Sequence, residues 1–518
     1  MKKNIFKYIF SALVLVVASC NTTDLVPVDI ISEDAAYSTA ANVELSVVGL
    51  YDRAQSGFYG GDETNDRGYI FGAAHIQMGD MRGEEMVLIN VFYDLIFRAT
   101  FNTSSPNLVN YWENGFRTIN IANLVMEGVT GAVENGVITE AKGNEYLGEA
   151  RIIRAMTYHT LLIHFSRPYL DGGGNKPGLP LFTKGVNGAD EVAAVVETSR
   201  SSVADTYAFI LDDLNFAEAN LPKDREEHNV TRAVKAAAIA LKTRVYSHMA
   251  DWTNVLAEGN KLLNGTTFGT YTLGGSVDTP WADNASSESI FSMEMGINDH
   301  LNVNSELANM IGSPGEGARG EYVISPIIWN QDFWHPDDLR RSLTVKEYNG
   351  LYYTHKYRDY ANSTDWTPVI RLAEVVLSVA EAESRAGDGA RALTLLNSIR
   401  DRAIPAGPTT MTSYVASDFP TAVDRTRAIL QERRIELLGE GERWSDIHRL
   451  AKDPDFSIGG IPMKMQNLDL SADKYNIGTP ASGTINAIPY DDPRYLWPIP
   501  QSETTRNPTL QAEQNPGW

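Results

Sequence analysis

The chain is 518 residues long, 43% hydrophobic and 21% charged, a composition ordinary for a globular protein with a large core. A formal net charge of −22 argues against nucleic acid or an anionic membrane surface as partner. A single cysteine excludes an intrachain disulfide.

Lys2, Lys3 and Lys7 precede an apolar run from Ile9 to Val17, too short to span a bilayer. The run ends at Val17-Ala18-Ser19-Cys20, which resembles a bacterial lipobox, where the cysteine thiol is lipidated and the cysteine becomes the first mature residue. The alternative is an ordinary secretory peptide with a chance cysteine. Small residues at Ala18 and Ser19 favour the lipobox. Residues 1–19 are then a removed signal peptide, lipid on Cys20 is the anchor, and 20–31 form a short tether.

Ser32-Glu33-Asp34 predicts a helix start, with the helix running through Leu50 to about Ala54. Residues 57–111 form a first excursion, rich in glycine and in aromatics such as Tyr59, Phe92, Tyr93, Phe97 and Phe101. Irregular stretches of that length inside a compact domain are usually functional. Helical spacing returns at Trp112 to Val129, Thr139 to Phe165 and Ser202 to Leu221. Thr231 to Met249 and Thr253 to Leu263 predict a helical hairpin. A second excursion, 264–368, carries β-like runs at Ser289 to Met295, Glu321 to Ile324 and Thr344 to Tyr348.

The clearest hairpin follows. Leu372, Val376 and Val379 mark an apolar helix face, and Glu374, Ser378, Glu381 and Arg385 a polar one. Gly387-Asp388-Gly389 breaks the helix, with glycine suited to a left-handed C-terminal turn, and a second helix carries Ala392, Leu396, Ile399 and Ala403 on one side. Such tetratricopeptide-like hairpins must stack to bury their faces, although no clean repeat period is present. A last helical stretch runs from Thr421 to about Lys452, and 453–518 is rich in loops and proline. The fold expected is mainly α: a tetratricopeptide-like scaffold at about 32–56, 112–263 and 369–452, with long irregular excursions and minor β.

Enzyme signatures are missing. No His-Glu-x-x-His occurs among nine histidines, and no Gly-x-Ser-x-Gly elbow is present. Gly315-Glu-Gly-Ala-Arg-Gly320 fits the dinucleotide fingerprint by letter, but no strand precedes it and Pro326 blocks the helix that should follow. Asp278, Asp283, Asp337 and Asp338 could supply oxygens to a structural calcium, yet none forms an EF-hand loop and they read as solvated surface acids. No cofactor is read.

Ile370-Arg-Leu-Ala-Glu-Val-Val-Leu-Ser-Val-Ala-Glu-Ala382 resembles the signature helix of the SusD/RagB family. Glu432-Arg-Arg-Ile-Glu-Leu-Leu-Gly-Glu-Gly-Glu-Arg-Trp-Ser-Asp-Ile447 is similar to its second signature. Tyr495-Leu-Trp-Pro-Ile-Pro-Gln-Ser-Glu503, Asn507-Pro508 and Gln514-Asn-Pro-Gly-Trp518 resemble its C-terminal ending. The resemblance covers essentially the whole chain, and implies one domain from 32 to 518. One departure is the single acid in Asn21-Thr-Thr-Asp24, where a strongly acidic surface-export signal would be expected.

The resemblance implies a non-catalytic, lipid-anchored outer-membrane protein, facing the exterior, that binds glycans and passes them to a SusC-like TonB-dependent transporter. Peptide ligands on the same scaffold, and less readily a glycan-processing enzyme, are the alternatives. It also implies that Arg371, Glu374, Glu381, Arg433, Glu436, Glu440 and Arg443 are structural ion-pairing residues. A sugar ring calls for an aromatic platform with amide, carboxylate or guanidinium partners. The excursions offer Asp80, Arg82, Tyr93, Phe97 and Asn102 on one side and Asn302, Tyr322 and Trp329 on the other. Trp112, Trp281 and Trp334 lean to core.

Overall fold

The computed structural model describes residues 33–297 and 304–518, apart from the side chains at 33–34 and 62–65. The signal segment, Cys20, the tether and Asn302 lie outside the described residues. Helices of seven residues or more are numbered α1 Ala40–Ser56, α2 Ala73–Arg82, α3 Pro106–Glu134, α4 Glu140–Phe165, α5 Ala189–Val195, α6 Val203–Asn220, α7 Lys235–His248, α8 Trp252–Leu263, α9 Leu372–Ala386, α10 Gly389–Arg400, α11 Ala422–Glu436 and α12 Glu442–Arg449. Short strands β1 Phe58–Tyr59, β2 Asp62–Asp66, β3 Met86–Leu88, β4 Ser289–Met293, β5 Tyr322–Ile324, β6 Val345–Tyr348, β7 Leu351–Thr354 and β8 Thr367–Arg371 pair only in twos.

The scaffold is a chain-ordered stack. α3 packs on α4, α4 on α6, α6 on α7, α7 on α8, α8 on α9, and α9 on α10 and α11. Neighbours in sequence are neighbours in space, the arrangement that lets each hairpin bury the face of the last. Side-chain caps start the helices where the sequence offers them: Thr139, Ser202, Asp251 and Thr421 each accept an N–H from the first turn.

Several boundaries differ from expectation. The first predicted helix is broken: Glu33–Ala36 is one turn, and Thr39 caps a fresh start at α1 by accepting the Asn42 N–H at 3.2 Å. α3 begins at Pro106, inside the expected first excursion, because proline suits the first turn of a helix. That excursion also holds α2, whose glycine and polar content hides it from a periodicity reading. Pro326 opens a one-turn helix, Pro326–Trp329. Residues 367–371 form β8, paired antiparallel with β4, so α9 begins only at Leu372. Gly387 is not left-handed (φ −128°, ψ −136°); a Cβ there would meet the Glu383 carboxylate at 2.1 Å and its Cα at 3.1 Å, so the chain turns tightly against the end of α9.

The polar face of α9 does not meet solvent. Every residue from Leu372 to Ser384 is buried. Its charges enter an ion network, as the structural reading expected. Arg244 donates to Glu374 at 2.8 Å, Arg449 to Glu381 at 2.8 Å, Arg433 to Asp446 at 3.0 Å and Arg443 to Glu84 at 2.6 Å. Arg371 spans Glu436 and Glu440, each at 2.8 Å. Charges this deep persist only with their partners in place.

Among the described residues no helix is long and apolar enough to cross a membrane, and no group of three or more His, Cys, Asp or Glu residues gathers as metal ligands. Asp338 is no solvated acid. It is buried and paired with Arg340 at 2.7 Å. Asp278 pairs with Arg358, and Asp337 accepts from Thr409.

Candidate ligand-binding site

The two excursions meet through one short ladder. β3 and β5 pair antiparallel, with Met86 opposite Ile324, Val87 opposite Val323 and Leu88 opposite Tyr322. Beyond it the N–H groups of Ile89 and Asn90 both donate to the Glu321 carbonyl, at 3.0 and 3.3 Å. This fixes the 89–98 loop against the 304–321 loop.

Most side chains expected to bind ligand lie beneath that junction, not on it. Asp80, Arg82, Tyr93, Phe97, Tyr322 and Trp329 are all buried. The Asp80 carboxylate accepts the Tyr322 hydroxyl at 2.8 Å and the Gly441 N–H at 3.1 Å. Burial pushes its pKa up to about 7 against these two hydrogen bonds. Arg82 lies 3.4 Å from the Trp444 ring centre, donates to the Tyr495 carbonyl and meets His164 Nδ1 at 2.9 Å. Phe97 packs beneath Lys464, whose ammonium donates to the Phe97 carbonyl at 2.9 Å. Trp329 donates to the Tyr475 carbonyl at 2.9 Å and packs on Tyr352, with ring centres 4.2 Å apart. Buried rings offer no platform, so these residues are corrected to core, with the Tyr93 hydroxyl left unpaired among the described residues. Trp112 and Trp334 are core as expected, and Trp281 is half-buried. Asn102 is exposed, and its side-chain Oδ1 accepts the Ser104 N–H at 2.9 Å.

What reaches the surface is a neighbouring set. Tyr59 and Phe92 are half-buried, with ring centres 5.7 Å apart and planes at 45°. The Arg67 guanidinium lies 5.4 Å from the Tyr59 ring centre and 5.1 Å from that of Phe92. Phe92 stands edge-on against Tyr93 at 4.7 Å. Val91 beside it is 85% exposed. Arg319, exposed, donates to Asn304 and lies 4.0 Å from the buried Glu321 carboxylate.

Three buried polar atoms here make no hydrogen bond among the described residues: Arg67 Nε, Tyr93 Oη and Glu321 Oε2. They are electrostatic neighbours. Burial first, then the Glu321 charge, raises the Tyr93 hydroxyl pKa, while Arg67 opposes the rise. Burial also raises the Glu321 carboxyl pKa, against Arg319, Asn90 and Arg67. Buried polar groups are normally paired, and these three stand out at one place, each enclosed rather than open to the surface. The sequence holds one usable signal: Phe92 and Tyr59 stand in the aromatic, glycine-rich excursion. Nothing in the sequence flags Arg67 or Glu321, which come together only across the ladder.

The chain matches two family descriptions: the SusD family over residues 334–518, and "starch-binding associating with outer membrane" over residues 68–247. It is 25% identical to SusD-like protein P2 of Formosa agariphila, with both chains fully covered, and 23% identical to a SusD-like protein of Bacteroides ovatus, over 86% of this chain and 82% of that one. Its fold is similar to a SusD superfamily protein of Bacteroides fragilis, with a TM-score of 0.74 and 24% identity over 91% of this chain and 99% of that one. It is also similar to surface glycan-binding protein A of Bacteroides uniformis, with a TM-score of 0.69 and 20% identity over 92% and 99% of the two chains.

Proposed function

Given that this chain belongs to the SusD/RagB family, we propose that it binds an oligosaccharide at the junction of its two excursions and releases it uncleaved. The observation that carries this reading is the Arg67 guanidinium set against two half-buried rings, Tyr59 and Phe92, at the junction. Tyr59 and Phe92 give the apolar face of a sugar a surface to rest on. The half-buried Arg67 guanidinium beside them supplies donors for its hydroxyls, with exposed Arg319 near by in the second loop. The starch-binding description supports a glycan over a peptide. Affinity is modest, because sugar–water hydrogen bonds are exchanged for sugar–protein ones.

The site is tested by titration calorimetry with maltoheptaose, other oligosaccharides and short peptides. With the oligosaccharide that binds, Phe92→Ala and Arg67→Met are each expected to weaken affinity about tenfold or more, roughly 1.4 kcal/mol, with the melting temperature unchanged. Trp329→Ala is expected to lower stability instead, by about 3–5 kcal/mol. Unchanged affinity in both Phe92→Ala and Arg67→Met refutes the site, and sugar cleavage lost on Glu321→Gln refutes the non-catalytic reading.

The outer-membrane description of the matched family and the Val17–Cys20 motif support the rest of the assignment. Lipid on Cys20 holds the protein at the outer membrane, facing outward, and the ligand passes to a SusC-like TonB-dependent transporter. In cells lacking that transporter, Cys20→Ala is expected to move the protein wholly from the membrane to the soluble fraction. Full retention in the pellet on cell fractionation contradicts the anchor.

A further inference from the structure

A second concavity, a cleft of about 910 Å³, opens between α3, the segment 180–196 and the short C-terminal helices Gln501–Arg506 and Pro508–Ala512. Ligand sites typically occupy about 300–1,000 Å³. Its walls are apolar. Phe116 of α3 meets Phe182 edge-on, with ring centres 5.7 Å apart and planes at 84°. The Arg53 guanidinium lies over the Phe58 ring, 4.2 Å from its centre. An edge-to-face pair and a capped ring fill a wall rather than offer the open face on which a sugar stacks. Opposite them α5 sets Val192 and Val195, with Val196 just past its end, on the cleft side at i, i+3 and i+4. Val192 is 52% exposed, so this wall lacks a covering partner.

The amides in the cleft are already spent. Asn120 donates to the Val186 carbonyl at 3.0 Å and accepts the Val186 N–H at 2.8 Å. Asn507 donates to the Thr198 carbonyl at 2.9 Å and accepts the N–H groups of Thr509 and Leu510. What stays uncommitted is cationic. Arg117 and Arg506 line the cleft, are exposed, and neither makes a hydrogen bond or ion pair among the described residues. Two carboxylates face them. Glu113 accepts the Ser502 hydroxyl at 3.2 Å, and burial, then the Glu113 charge, raises the Glu503 pKa against Arg506. With Arg53, three guanidiniums stand against two carboxylates, a local reversal of sign on a chain of net charge −22.

We propose that this cleft binds an amphipathic anion: a small molecule whose apolar body lies between the phenylalanine and valine walls and whose acid group is held by Arg117 and Arg506. The apolar body supplies affinity, and charge-assisted hydrogen bonds from the guanidiniums supply the preference for an acid. The site is separate from the sugar junction. Successive strand residues point to opposite faces, and β1 places Phe58 on the cleft and Tyr59 beside Phe92.

Titration calorimetry with decanoate and decanol, which share an aliphatic body and differ in charge, tests this. Decanoate is expected to bind at one site, at least about tenfold tighter than decanol. In Arg117→Gln/Arg506→Gln that preference should fall to about twofold or less, with decanol unaffected. In Val192→Ser/Val196→Ser both probes should weaken alike, by about tenfold. All four side chains are exposed, so folding is kept. Decanoate that fails to bind, or binds no better than decanol, overturns the proposal. So does a preference that survives the arginine changes, or decanoate affinity indifferent to the valine changes. A dimer in sedimentation that Val192→Ser/Val196→Ser splits would show that a second copy fills the cleft, and overturns it too. No variant alters Tyr59, Phe92 or Arg67, so failure here leaves the sugar-binding reading standing.

Discussion

Glu436→Ala is expected to destabilise the protein by about 4 kcal/mol, because it removes one partner of a buried ion cluster and leaves the others charged. The Glu436 carboxylate accepts from Arg371 at 2.8 Å, Arg402 at 2.9 Å and Arg340 at 3.0 Å. Burial opposes its ionisation, yet the guanidiniums of Arg402, Arg371 and Arg340 outweigh burial and hold it well below the usual carboxylate range. Its contribution is therefore complete above the unfolded-state pKa and is lost as pH falls toward the folded-state value. Alanine leaves Arg340, Arg371 and Arg402 to share Asp338, Glu288, Glu432 and Glu440. Urea denaturation at pH 7 measures the loss, and Glu436→Gln, which keeps an acceptor, should cost less. A midpoint change worth under about 0.5 kcal/mol would mean that the cluster stabilises little.

Gly79→Ala is expected to cost about 3 kcal/mol, the upper end for an overpacked core. α2 crosses the start of α12 backbone to backbone: a Cβ on Gly79 would lie 1.9 Å from the Gly441 carbonyl oxygen. Neither side can rotate away, because both atoms belong to main chain or its first carbon. Gly441 itself has φ +78°, a region where only glycine is unstrained. Parting the two segments also pulls the Gly441 N–H from Asp80, whose other oxygen holds Tyr322 on β5. Scanning calorimetry should show the lower stability, and amides at 86–88 and 322–324 should exchange faster. A melting temperature equal to that of the unaltered protein would show that the crossing adjusts freely.

The helical scaffold was legible because its apolar spacing and its cap residues act locally. α4, α6, α10 and both strands around Phe291 and Val323 follow from residues within a turn or two of each other. Burial was not legible in the same way. Glu374 and Glu381 give α9 the look of a surface helix, and Arg244, Arg433 and Arg449, far away in sequence, join the local Arg385 to take those charges inside. The site failed for a related reason. Tyr93, Tyr322 and Trp329 share their composition with a sugar platform, but a ring's value there depends on which side faces water. Phe92 and Tyr93 are adjacent in sequence, and the structure buries the second while leaving the first half open. Arg67 and Glu321 meet only through the β3–β5 pairing, which no local pattern encodes.

That pairing has a consequence for how such proteins diversify. The ladder holds three residue pairs, and the loops leaving it, 89–98 and 304–321, carry Phe92 and Arg319 respectively. A change in either loop leaves the clasp between them untouched, whereas a change in the clasp disturbs both. On the proposed site, ligand preference then rests on three pieces, the two loops and the 58–67 hairpin that carries Tyr59 and Arg67: transplanting one piece from a relative is expected to yield a mismatched jaw, and transplanting all three to carry the specificity across.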